Sequence, residues 1–166
     1  MKVLIISDIH DNLVNLKKCL AWAKINLIND VICCGDVTNE ETVAFLSQNV
    51  RGTVFLVRGN MELYEDECLA QYKNINYLGR YGTCIIDNKK IDVCHEPDFF
   101  ADVLKIEAHP TYIFYGHTHK PWIESQCGAE TVNPGTLGGV FTRATFALWH
   151  TETSKVELKL LEDLIL

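Results

Sequence analysis

Positive charge is in short supply. The chain of 166 residues holds 15 Lys and Arg against 22 Asp and Glu, a formal net charge of −7. Phosphate backbones and anionic membranes reward clustered cations, so this balance argues against scaffolding long nucleic acid or lying on a membrane. Long apolar runs are lacking as well. No stretch approaches a membrane span, and the start MKVLIISDIH turns polar too soon for a secretory signal. Proline is sparse at four residues and the ten glycines mark turns rather than a linker, so a single domain over 1–166 is expected. The seven cysteines include no C-x-x-C pair, which removes a zinc ribbon. Their odd number, with Cys33 and Cys34 adjacent in an apolar run, reads as small buried hydrophobes in a reducing compartment, and the cytoplasm is the expected location. Neither G-x-G-x-x-G nor G-x-x-x-x-G-K-[ST] occurs, so a phosphate would have to be held by something other than a glycine cradle.

The apolar residues that are present arrive in a regular order. Val3 to Ile6, Val31 to Cys34 and Val54 to Val57 are continuous apolar runs, the pattern of parallel strands covered on both faces. Between them, Leu13, Leu16, Leu20, Ala23 and Leu27 recur at helical spacing, and Thr38 with Glu41 forms a T-x-x-E capping box before Val43, Leu46 and Val50. This β-α-β-α-β rhythm predicts an α/β domain. The second half then offers short strands: a hairpin of 83–87 and 91–94 around Asn88-Lys89-Lys90, then 112–115, 122–125, 130–132, 144–149 and 156–160. They predict a second, mostly antiparallel sheet packed on the first, a two-sheet β-sandwich flanked by helices in four layers.

Chemistry gathers where the strands end. Asp8 and His10 follow the first strand, Gly35-Asp36 the second, Gly59-Asn60 the third, His95 the strand from Ile91, and Gly116-His117-Thr118-His119 the strand from Tyr112. Carboxyl ends of strands are where ligand sites collect in α/β sheets. Singly, each motif has an ordinary explanation: a helix cap for Asp8, turn formers for Asp36 and Asn60, packed or solvated imidazoles for the histidines. Jointly, five strand ends that each deliver a carboxylate, amide or imidazole are poorly explained by coincidence. Nitrogen and oxygen donors without thiolate suit divalent transition ions and are too nitrogen-rich for magnesium or calcium.

In this order D-x-H, G-D, G-N, H and G-H-x-H resemble the signature of the calcineurin-like metallophosphoesterases. The short chain and Asn133-Pro134-Gly135-Thr136, similar to an N-P-G-S stretch, resemble its small prokaryotic phosphodiesterase branch, whose fold the eukaryotic retromer subunit shares. The resemblance implies two divalent ions, manganese first and nickel, iron, zinc or cobalt as alternatives. Asp8, His10 and His119 would hold one, Asn60, His95 and His117 the other, and Asp36 both. It also implies a bridging hydroxide that attacks the phosphorus of a small phosphoester, with Asp36, Asn60 and His95 at the centre of the catalysis. The rival implied by the same family is a retromer-like binding module with a vestigial metal site, or a nucleotide phosphatase or nuclease. Two divalent ions would bring the formal charge to about −3, so the positive charge a phosphate needs would come from metal.

The chain departs from the family pattern in two places. Many relatives carry His directly after the Asn of G-N-H, where this chain has Met61 followed by Glu62, a Gly59-Asn60-Met61-Glu62 stretch that resembles the G-N-C-D of the small phosphodiesterase branch. A thioether cannot donate a proton, so either esters with good leaving groups or water or another residue as the acid is expected. The usual H-G-H reads His95-Glu96-Pro97 here, and Glu96 is expected either to narrow substrate choice or to face solvent. Asn12 and Arg58 are candidate substrate contacts, with helix capping and surface pairing as their alternatives. Trp22, Trp122 and Trp149 read as core or subunit-contact residues, which leaves room for a homo-oligomer.

Overall fold

Each apolar run finds a layer to fill. The computed structural model describes residues 1–106, 109–126 and 128–165; Cys127 lies outside them. A six-stranded sheet is built from β1 (Lys2–Ile6), β2 (Asp30–Cys33), β3 (Val54–Leu56) and β4 (Ile75–Tyr77), all parallel, with β10 (Thr145–His150) and β11 (Lys155–Leu160) added antiparallel beside β1. The second sheet runs β5 (Tyr81–Ile86), β6 (Lys89–Cys94), β7 (Tyr112–Phe114), β9 (Ala129–Asn133), β8 (Trp122–Gln126).

Side-chain alternation along β1 shows how the layers stack. Leu4 and Ile6 pack with Leu16, Leu20 and Leu46, joining the first sheet to the helices α1 (Leu13–Ile25) and α2 (Glu40–Asn49). Val3 and Ile5 point the other way, into a core between the sheets with Ile32, Val93, Phe114 and Trp149. Beyond the second sheet, Ile113 and Tyr115 meet Phe100 and Val103 of α3 (Phe100–Ile106). β1, β2 and β3 are buried on both faces because both faces are covered, which is why they read as unbroken apolar runs. The architecture is the four-layer sandwich expected.

Three local expectations need correction. β10 and β11 join the first sheet, not the second, because β1 offers a free edge to β10. The second sheet is mixed, with β6–β7 and β7–β9 parallel and only its outer pairs antiparallel. Its hairpin turn begins one residue early, at Asp87-Asn88, both left-handed, so that Ile86 pairs with Lys89. Such a pair of positive φ angles matches the twist of the flanking strands, and Asn and Asp tolerate it.

Helix α2 is not capped by Thr38. Its N-cap is Asn39, whose side chain makes no capping bond among the described residues. The carboxylate of Asp11 does the capping from outside, accepting the Asn39 N–H at 3.0 Å and the Thr42 hydroxyl at 2.6 Å. Replacing Asp11 by Ala removes this cap and its helix-dipole complement, and urea unfolding should show a loss of about 1–2 kcal/mol. An unchanged midpoint would contradict the assignment.

Candidate metal centre

Because β1, β2 and β3 are parallel, and β6 and β7 are parallel, five carboxyl ends lie along one edge of the sandwich. Backbone hydrogen bonds then tie the loops they feed. The amides of Asp8 and His10 donate to the carbonyls of Gly35 and Asp36, both at 3.0 Å, and Gly116 N–H donates to the His95 carbonyl at 2.9 Å. Close approach demands glycine at Gly59, where a Cβ would collide with the Asp36 carboxylate and amide, and at Gly116, where it would strike Ser7 Oγ.

Two clusters result. In the first, His119 Nε2 lies 3.1 Å from both Asp8 Oδ1 and His10 Nε2. In the second, Asn60 Oδ1 lies 3.0 Å from His95 Nε2 and 3.0 Å from His117 Nδ1. Asp36 stands between them, its Oδ2 at 3.3 Å from His95 Nε2 and 3.8 Å from His10 Nε2. One ligand atom from each of Asp8, His10 and His119 falls within 4.8 Å of the others, and the same holds for Asp8, Asp36 and His95. All seven ligand candidates therefore lie in one place.

The protonation pattern says what such an arrangement lacks. His95 Nδ1 is 2.7 Å from the Cys34 carbonyl, which can only accept, so Nδ1 carries the proton and the Nε2 lone pair of the neutral ring faces the oxygens of Asn60 and Asp36. Acceptors this close repel unless a proton or a cation sits among them. Asp8 Oδ1 is sealed from solvent, and among the described residues no hydrogen-bond donor satisfies it, while Oδ2 accepts the His117 N–H at 3.1 Å. An orphaned carboxylate oxygen beside two converging imidazoles fits a divalent cation.

Charge state follows from the same contacts. Burial works against the Asp36 carboxylate, but the hydrogen bond and charge of His95 and the Met61 N–H outweigh it and hold it below the ordinary range. Burial likewise opposes the His95 cation, yet its bond to Asp36 and the Asp8 charge raise it above the ordinary histidine value. His119 is raised mainly by the Asp8 carboxylate, 3.1 Å from its Nε2. A cation binding here displaces protons from these rings, so its affinity falls as pH falls.

Other candidates are placed elsewhere. Arg58 turns from the site to pair with Asp66 and to reach the Tyr64 carbonyl at 3.2 Å. Asn12 caps α1, accepting the Asn15 N–H at 3.1 Å and donating to the Gly138 carbonyl at 2.9 Å, so its polar atoms are engaged within the protein. Glu96 lies 3.8 Å from Arg80 and does not line the cleft. The Asn133–Thr136 stretch braces the site from behind: Asn133 Nδ2 donates to the Gly116 carbonyl and Thr136 Oγ1 to that of Asp8. One supporting residue was given no role by the sequence. Glu62, beside Met61, is buried and accepts the N–H groups of Val37, Thr38 and Gly59, clamping the loop of Asp36 to that of Asn60.

An open cleft of about 480 Å³ has His10, Asp36, Asn60, His117 and His119 in its lining. A calcineurin-like phosphoesterase superfamily domain matches residues 1–154. A curated phosphodiesterase of Methanocaldococcus jannaschii is 25% identical over 169 residues, covering 98% of this chain and 100% of its own. The solved structure of an archaeal phosphodiesterase superimposes with a TM-score of 0.83 at 23% identity, over 96% of this chain and 99% of that one. The zinc complex of the vacuolar sorting protein Vps29 of Entamoeba histolytica gives 0.68 at 20% identity, over 97% and 99% of the two chains.

The backbone at the centre is strained. Asp8, His10, Asp36, His117 and His119 have φ of 52°, 46°, 53°, 68° and 58°, a left-handed conformation that costs a residue with a Cβ roughly 1–2 kcal/mol. His117 is exposed, so little packing is lost with its ring. His117→Gly and His117→Ala both delete the ligand, but in chelator the glycine variant should be the more stable by about 1 kcal/mol. Equal melting points would show that the backbone there is unstrained.

Proposed function

The chain belongs to the calcineurin-like phosphoesterase superfamily, and from that premise we propose that it is a phosphodiesterase hydrolysing small phosphoesters with two divalent cations. The observation that carries this reading is the buried Asp36 carboxylate, within 3.3 Å of His95 and 3.8 Å of His10, so that one side chain serves both clusters. Asp8, His10 and His119 would hold one ion, Asn60, His95 and His117 the second, and Asp36 both. The nitrogen and oxygen donor set suits divalent transition ions; the family resemblance puts manganese first, with nickel, iron, zinc or cobalt as alternatives. When bound, such a pair supplies charge neutralisation at the phosphoryl oxygens and a water acidic enough near neutral pH to be the nucleophile.

The chain's own residues orient this chemistry. The Cys34 carbonyl fixes the His95 ring through Nδ1, and the Met61 N–H, 2.9 Å from Asp36 Oδ1, leaves Oδ2 to face the clusters. Met61 stands where an imidazole could protonate the departing oxygen, and its thioether cannot. The leaving alcohol therefore departs best when it needs no proton. The cleft, open and about 480 Å³ in volume, has room for a small ester, and the acidic chain disfavours a long polyanion.

With manganese or nickel the protein should hydrolyse bis(4-nitrophenyl) phosphate, and Asp36→Ala should lower the rate by about a hundredfold or more. Equal activity in that variant would sink the two-ion reading. Met61→His restores a proton donor, and should raise the rate on esters of poor leaving groups by about tenfold or more while changing the nitrophenyl ester less. No gain on the poor leaving groups would refute the account of Met61.

A further inference from the structure

Beside the ligands, the cleft is lined by three apolar side chains, Met61, Val140 and Phe141. Phe141 is fully exposed, at 101% of its reference area, and its φ is 62°. A bulky residue in the left-handed region is strained, and a ring in water gains nothing from burial. Neither the core nor the backbone accounts for a phenyl group there, and strain of this kind is a reason to look for function.

The segment that presents the ring is braced. The N–H groups of Leu137 and Gly138 donate to the carbonyls of Ser7 and Asp8, both at 2.9 Å. The Gly138 carbonyl accepts from the side-chain amides of Asn12 at 2.9 Å and Asn15 at 3.3 Å. Val140 and the ligand His119 line the same cleft. Phe141 thus follows, in the chain, a residue that lines the cleft beside the metal-ligand cluster. Met61, 51% exposed, adds a polarizable thioether of the kind that makes favourable contacts with aromatic rings.

We propose that Phe141, assisted by Met61, is a stacking platform for a flat aromatic group carried by the phosphoester. The cleft then prefers esters bearing a nucleobase or aryl ring over alkyl esters. The inference rests on the phosphodiesterase reading, because a phosphoryl group held at the ligands is what brings the ring to Phe141. A cleft of about 480 Å³ has room for a nucleoside or an aryl group beside the phosphoryl site.

The test measures dissociation constants of phenylphosphonate, adenosine 5′-monophosphate and methylphosphonate on the manganese-loaded protein by calorimetry. Phe141→Ala should weaken the two aromatic ligands relative to methylphosphonate by about tenfold. Phe141→Trp should keep the preference and Phe141→Leu should lower it, so the result does not depend on the alanine variant folding well. A loss confined to adenosine 5′-monophosphate assigns the platform to a nucleobase, and one confined to phenylphosphonate assigns it to an aryl ester. Equal shifts for all three ligands, or none, overturn the platform while hydrolysis by the wild-type protein still supports the phosphodiesterase reading. Failure of the wild-type protein to hydrolyse any diester overturns both.

Discussion

Two carboxylates, Asp8 and Asp36, are sealed from water within reach of the same imidazoles, and the rest of the site is arranged around that fact. Buried like charges repel strongly because little solvent screens them. The chain nevertheless holds Asp36 ionised, through the charge and hydrogen bonds of His95 and the Met61 N–H. What offsets the two negative charges is either protons on His95 and His119, both shifted to hold them more tightly, or cations in their place. A site that binds protons and divalent ions with the same atoms has its metal affinity tied to pH by construction.

Bringing those groups together costs backbone strain, and the scaffold absorbs it. Five of the seven ligand candidates sit in left-handed conformations, and none is a glycine, because each must carry a side chain. Glycine appears one residue away instead, at Gly35, Gly59 and Gly116, where neighbouring loops touch. Glu62 and Asp11 then lock the loops from below, one by accepting three amides from the loops after β2 and β3, the other by capping α2. Beneath them the strand ends are held by a core in which Val3 to Ile6 are fully buried. The strained loops lean on the part of the molecule least able to move.

The ligand set was legible in the sequence because chemistry demands residue identity at strand ends, and those ends were marked by apolar runs. Sheet membership was not. A mostly antiparallel second sheet would have put neighbouring strand ends on opposite edges and separated His95 from His117; the parallel pairing of β6 with β7 brings them to one edge. Nothing in the local pattern of short apolar runs distinguishes these pairings, since the decision is made by contacts distant along the chain. Thr38-x-x-Glu41 misled for a related reason. The capping box is a local rule, and the Asp11 carboxylate, 28 residues before Asn39, reached the helix start instead. Phe141 left no signal at all: an aromatic in a polar, glycine-containing stretch becomes informative only once its ring is seen in the cleft.

Scarcity of cations now has a location. Arg58, the nearest arginine in sequence to a ligand, is committed to Asp66, and no Lys or Arg among the described residues lines the cleft. A phosphoester approaching at neutral pH therefore meets carboxylates and imidazoles, a surface that by itself favours neither binding nor the charge developing during phosphoryl transfer. Divalent cations held by the ligand cluster would reverse that field where it matters, at the phosphoryl oxygens, while leaving the rest of the surface acidic. Selectivity then divides in two. The cations would recognise what every phosphoester shares, and the uncharged lining, Phe141 foremost, would be left to recognise what distinguishes one from another.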